Sequence, residues 1–243
     1  MNGHLRTRVV DRGGAPSLVA VLCHGFGAPG DDLVPVADEL FDLRPELAGK
    51  VRFVFPEAPL SMADLGLGPG RAWWMLAPEH LAAIQAQDVP AMLKMRHETP
   101  EGLTRARRLL MALVAELTRE TGLPYGRLVL GGFSQGAMLA TDVALRLEEP
   151  PAALAVFSGT LVNEAEWAER APRRKGLRVL QSHGRADPLL PFANAEALRD
   201  LFTGAGLAVD FRPFDGGHGL SPGALEGLGQ LLADFLDIPR QPR

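Results

Sequence analysis

The sequence predicts an α/β protein, with one mostly parallel sheet and helices on both faces, in a single domain spanning residues 1–243. Three observations predict it. Short, nearly continuous apolar runs recur along the chain, as parallel strands covered on both faces require. Longer segments with apolar residues three and four positions apart fall between them. The 27 glycines and 20 prolines punctuate this alternation with turns, and no stretch is long enough to be a linker. Strand–helix alternation from end to end implies one layered domain rather than two.

The elements follow in order. Residues 17–23 (SLVAVLC) read as the first buried strand, and Asp31-Asp32 as the cap of a helix running through Leu43. Residues 51–55 (VRFVF) form the next strand. Thr99-Pro100-Glu101 reads as a helix start, with Thr as N-cap, Pro at the first helical position and an acid in the first turn. Leu103, Leu110, Val114 and Leu117 then share one face, and Gly122 ends the helix. Strands are expected at 127–130, 153–157, 177–180 and 209–214, and helices at 135–147, 192–202 and 224–236.

The segment 75–98 stands apart. Its apolar residues Leu76, Leu81, Ile84, Val89, Met92, Leu93 and Met95 are too many for a solvated loop. Long connections of this kind tend to be lids or binding loops. Pro78 and Pro90 divide it into two short helical pieces, 79–88 and 91–97. A lid-like insertion at about 75–98 is therefore expected.

Composition narrows the function. With 47% hydrophobic and 22% charged residues the chain can bury a core, which excludes a disordered or fibrous protein. A net charge of −4 gives no general attraction to nucleic acid or anionic lipid. The single cysteine, Cys23, excludes an intramolecular disulfide and a thiolate-rich metal site, and its place at a strand end reads as core packing. No apolar run is long enough for a membrane span, and MNGHLRTRVVDRGG has no signal-peptide core. A cytoplasmic protein without stable membrane insertion is expected, and a homodimer is left open.

The chemistry lies in 127–139, RLVLGGFSQGAML, which contains Gly132-Phe133-Ser134-Gln135-Gly136, a match to G-x-S-x-G. It follows a strand-like run and opens a helix-like one, the context of a nucleophile elbow. A serine nucleophile needs a base, and the base an orienting carboxylate, in the chain order Ser, acid, His. Downstream of Ser134 stand only His183 and His218. His183 comes too early for an acid to precede it, so His218, in the flexible GGHG loop, is the base. Among Asp187, Glu196, Asp200, Asp210 and Asp215, only Asp187 sits in a turn just past a strand end without being a near neighbour of His218. Reacting groups gather at that sheet edge. The oxyanion donors are expected to be the N–H of Gln135 and, from the early turn CHGFG, the N–H of Phe26. His24 reads as a scaffold for that turn. A metal site from His24, His183, His218 and Asp187 is disfavoured, because the H-x-x-x-D spacing falls in a turn rather than on one helix face. Neither metal nor cofactor is expected.

With these parts in place, the sequence resembles the phospholipase/carboxylesterase family of α/β-hydrolases, which includes bacterial carboxylesterases and acyl-protein thioesterases. The matching segments are LCHGFGAPGDDLVPVADEL, FPEAP, GRAWW, GGFSQGAML, FSG, HGRADPLLP and GGHGLSP, in that order. The resemblance implies an α/β-hydrolase fold and places the triad at Ser134, Asp187 and His218, with oxyanion donors at Phe26 and Gln135. Two features depart from the pattern: the length of 75–98, and Met75-Leu76 after Trp74 where relatives often carry an aspartate. A carboxylesterase acting through an acyl-enzyme on a small-molecule ester is expected. An acyl-thioesterase or lysophospholipase with the same triad is the alternative, and a non-catalytic binding module the remote one. Trp73, Trp74, Met75 and Leu76 are expected to contact the substrate.

Overall fold

The computed structural model describes residues 4–238, so the extreme termini of the expected domain (1–3 and 239–243) lie outside the described residues. In chain order the elements are β1 (Thr7–Val10), β2 (Leu18–Cys23), α1 (Pro35–Leu43), β3 (Val51–Pro56), β4 (Leu60–Ser61), β5 (Arg71–Ala72), α2 (Pro78–Gln85) and α3 (Val89–Lys94). Then come α4 (Leu103–Thr121), β6 (Leu128–Phe133), α5 (Gln135–Ala144), β7 (Ala153–Phe157), α6 (Glu164–Arg170), β8 (Arg178–Gly184), α7 (Phe192–Gly204), β9 (Ala208–Phe214) and α8 (Pro222–Phe235).

Seven strands form one sheet in the order β1-β3-β2-β6-β7-β8-β9, parallel throughout except for β1, which pairs antiparallel with β3. The alternation of side chains along a strand builds two cores. In β2, Val19, Val21 and Cys23 face one core with α4, α5 and α7, whereas Leu18, Ala20 and Leu22 face the other with α1 and α8. Every residue of β2 is buried, which is why its sequence is continuously apolar.

The sheet order locates the site. From β2 the chain steps outward to β3, then crosses back to β6 on the other side of β2. Loops leaving β2 and β6 diverge from this reversal, and a crevice opens at the carboxyl ends of the strands. The register pairs Cys23 with Gly132, so the turn after β2 lies beside the end of β6.

Several expected boundaries need correction. Asp31-Asp32 does not cap α1: that helix starts at Pro35, with Val34 at its N-cap and no side-chain cap bond. Thr99 is not the cap of α4, which begins at Leu103 behind Gly102, whose φ of 91° breaks the helical path. Thr99 Oγ1 instead donates to Asn163 Oδ1, 2.9 Å away. Strand β6 runs on through Gly131-Gly132 to Phe133, past the expected end at 130. The proline pieces are α2, α3 and a 3₁₀ turn (Met95–His97), and the prolines occupy first-turn positions rather than gaps between helices. Strand β1 and helix α6 were unassigned in the sequence reading, since each is too short to show periodicity.

Candidate active site

Ser134 occupies the turn between β6 and α5 with φ 53° and ψ −120°. For a residue with a Cβ this is strained backbone, costing on the order of 1–3 kcal/mol. The flanking glycines make the turn possible. A Cβ on Gly132 would lie 2.4 Å from Cys23 O, and one on Gly136 2.1 Å from the same oxygen. The end of β2 thus presses directly against the elbow, and only hydrogen atoms fit between.

Ser134 N donates to Phe157 O (2.8 Å), which holds the elbow against β7. Its Oγ makes no hydrogen bond among the described residues. The N–H groups of Gln135, first in α5, and of Phe26, in the turn after β2, likewise donate to no described residue. Ser134, Gln135 and Phe26 all line one cavity of about 610 Å³, which His218 also lines. The helix N-terminus behind Gln135 adds partial positive charge at the same point.

His218 lies in the loop between β9 and α8, and its Nδ1 is 2.7 Å from Asp187 Oδ2. Asp187 sits in the loop after β8, where its Oδ1 accepts the N–H groups of Leu189 and Leu190, both at 2.9 Å. Burial alone would raise the carboxyl pKa. Hydrogen bonds from His183 and His218, the charge of His218 and the Leu190 N–H outweigh it, and Asp187 is held well below the usual carboxylate range. Asp215, the nearer acid in sequence, points to solvent opposite Arg185 at 3.7 Å. The two loops are tied together by Arg185 N to Phe214 O and Ala186 N to Gly216 O. Ser158, at φ 45°, adds an Oγ–H bond to Gly219 O beside His218.

His24 is buried and lowered in pKa, chiefly by desolvation. Its Nε2 accepts from Ala58 N (3.1 Å), so the ring proton sits on Nδ1, which meets Gly25 O at 2.8 Å. Both bonds brace the turn carrying Phe26. Trp73 does not line the cavity. It is buried behind it, with Nε1 donating to His24 O (2.9 Å). Trp74, Met75 and Leu76 do line it. The Gln135 side chain pins this strip, accepting from Trp73 N (2.9 Å) and donating to Trp74 O (2.8 Å). Cys23 is fully buried and burial pushes its thiol up, which suits packing rather than reactivity.

The far wall is apolar, with Ile84, Met92, Met95, Met138, Val162 and Leu190. Two of the methionines come from α3 and the turn after it, and Ile84 from α2. The ionisable groups lining the cavity are Asp32, Glu79, His80, Glu98, Glu101 and His218, with no lysine or arginine among the described residues. The sequence reading missed His183, Ser158 and the Gln135 side chain. Only HGRADPLLP and FSG, quoted as matching segments, carried a signal for the first two. Among the described residues no group of three or more His, Cys, Asp or Glu side chains is arranged to hold a metal ion, and no helix is long and apolar enough to cross a membrane.

Known proteins resemble the chain over most of its length. The sequence model of the phospholipase/carboxylesterase family matches residues 5–236. Acyl-protein thioesterase 1 of Eremothecium gossypii is 30% identical over 239 residues, 96% of this chain and 94% of its own. Acyl-protein thioesterase 1 of Mycosarcoma maydis is 32% identical over 205 residues, 81% of each chain. Among solved structures, esterase PE8 superposes with a TM-score of 0.77 at 28% identity, covering 96% of this chain and 99% of its own.

Proposed function

The chain belongs to the phospholipase/carboxylesterase family of α/β-hydrolases, and on that premise we propose that it cleaves carboxylic esters through an acyl-enzyme formed on Ser134. The observation that carries the reading is the convergence in one cavity of a strained-turn serine with a histidine already bonded to a buried carboxylate.

In this reading Ser134 Oγ attacks the acyl carbon while His218 Nε2 takes its proton. Asp187 fixes the tautomer with the proton on Nδ1 and stabilises the imidazolium. The oxygen of the tetrahedral intermediate is received by the free N–H groups of Phe26 and Gln135, donors already in place before charge develops. His218 then protonates the leaving group, and water repeats the sequence on the acyl-enzyme. Ser134 and His218 line the same cavity, and the bond between such a nucleophile and its base is often long until substrate binds.

The segment 75–98 serves as the acyl wall and lid of this cavity. Support comes from Met75, Leu76, Ile84, Met92 and Met95, all of which line it. Unbranched methionines adapt to chains of different shape, and the four carboxylates among the lining residues disfavour an acyl group with negative charge. A thioester reading has its own support in the two thioesterase relatives. Hydrolysis of matched oxygen esters and thioesters of one acyl chain separates the two. A kcat/KM higher for the oxygen ester supports the carboxylesterase, a higher value for the thioester the thioesterase, and turnover of neither contradicts both.

A further inference from the structure

His183, at the end of β8, is fully buried, yet the reaction above gives it no part. Its Nε2 lies 2.9 Å from Leu190 O and 3.2 Å from Asp187 Oδ2. Both neighbours are acceptors, so Nε2 carries the ring proton. Nδ1 is buried without a hydrogen-bond partner. An unpaired polar atom in the core is destabilising, and an apolar side chain of similar volume would avoid it. The Nε2 contacts therefore need a reason beyond filling space.

Their geometry supplies one. The loop from Asp187 to Leu190 folds back on its own carboxylate, and the N–H groups of Leu189 and Leu190 both reach Oδ1. His183 holds the other side of that loop by its carbonyl at Leu190 and meets Oδ2, the oxygen that also receives His218 Nδ1. We propose that His183 is a positioning residue for the reaction: it closes the Asp187–Leu190 loop, shares Oδ2 with His218, and so fixes both the direction and the charge density of the acid. The inference rests on the Ser134–His218–Asp187 reading. The groups facing Oδ2 are His183 from β8 and His218 from the loop before α8; Phe192 of α7, its ring 6.2 Å from His183, packs on the site without charge. Arg185 and Asp215 pair at the surface nearby.

Removing the His183 donor leaves more negative charge on Oδ2, which favours the imidazolium of His218. The acid limb of the kcat/KM profile then moves to higher pH, and kcat falls with KM little changed, since His183 does not line the cavity. A loss of about 10- to 100-fold in kcat is the range for one hydrogen bond to a charged group. The test is kcat, KM and the pH profile on p-nitrophenyl butyrate for His183→Phe, His183→Gln and His183→Asn, with Asp187→Asn as reference. Gln places an N–H near the position of Nε2, whereas Asn is too short. The expected result is a lower kcat and a raised acid limb for Phe and Asn, with Gln recovering most of both. If Phe does not fold, the Gln–Asn pair decides in the same way. Equal activity in all three, or equal losses in Gln and Asn with an unmoved acid limb, would overturn the role of His183. Full activity of Asp187→Asn would instead overturn the triad reading itself.

Discussion

Replacing Gly136 by alanine sets two effects of opposite sign against each other. Position 136 is the second residue of α5, where alanine is the better helix former by up to ~1 kcal/mol. The added Cβ, however, would lie 2.1 Å from Cys23 O, 2.5 Å from Cys23 C and 2.5 Å from His24 O. All three are backbone atoms in or just beyond a central strand, so none can swing aside. Restoring ordinary contact requires α5 to retreat from β2 by about 1 Å in a tightly packed interior. Overpacking of this kind costs ~1–3 kcal/mol and outweighs the helical gain. The midpoint of thermal unfolding should fall by roughly 2–10 °C for a chain of this size. The retreat also carries Gln135 N away from Phe26 N, and misplacement by ~1 Å is worth about 100-fold in rate. Steady-state hydrolysis of p-nitrophenyl butyrate and thermal denaturation followed by circular dichroism provide the two readouts. A variant with wild-type kcat and an equal or higher midpoint would refute the claim that the end of β2 presses on the elbow.

Other consequences can be checked separately. Asp187→Asn should lower kcat by roughly 10⁴ through the wrong histidine tautomer, while Asp215→Asn, at the exposed Arg185 pair, should leave it unchanged. The carboxyl of Asp187 is lowered from 3.8 on folding, so its stabilising contribution is complete above the unfolded value and is lost as pH falls through the folded one. Urea unfolding of wild type and Asp187→Asn between pH 5 and about 2 should therefore show the shallower acid decline in the variant. Bridging residues 81–92 with Gly/Ser should change the ratio of butyrate to octanoate hydrolysis while a fluorophosphonate still labels the protein. A uniform loss on both esters would make the segment scaffold rather than acyl wall.

Buried strands were legible because burial on both faces leaves only apolar residues, as in β2, and the elbow because its glycines are demanded by contact with backbone. What sequence misread has physical causes. The strand expected to end at 130 runs on through Gly131-Gly132, because glycine usually signals backbone freedom but here serves by its lack of volume, inside a strand. Thr99 and Asp31 looked like caps because their types suit that role locally, but a tertiary partner, Asn163, took Thr99, and α1 starts at Pro35. Strand β1 has four residues, is mostly exposed and pairs on one side only, so it is too short to show an apolar pattern. In the site, the order Ser, acid, His pointed to Asp187 and His218, which the fold joins at 2.7 Å. Trp73 was expected at the substrate because it adjoins Trp74; alternation along the chain turns it inward instead, to His24. His183 was read as a rejected base and a disfavoured metal ligand, and only its place in HGRADPLLP, four residues before Asp187, marked it.

The central claim is that Ser134 is the acylated residue, and peptide mass spectrometry after fluorophosphonate treatment tests it most directly. The account predicts a single adduct on the peptide carrying Gly132–Gly136, stoichiometric with lost ester hydrolysis and absent in Ser134→Ala, whose kcat should be lower by on the order of 10⁶. An adduct on another residue, or ester hydrolysis by Ser134→Ala within tenfold of wild type, would contradict it.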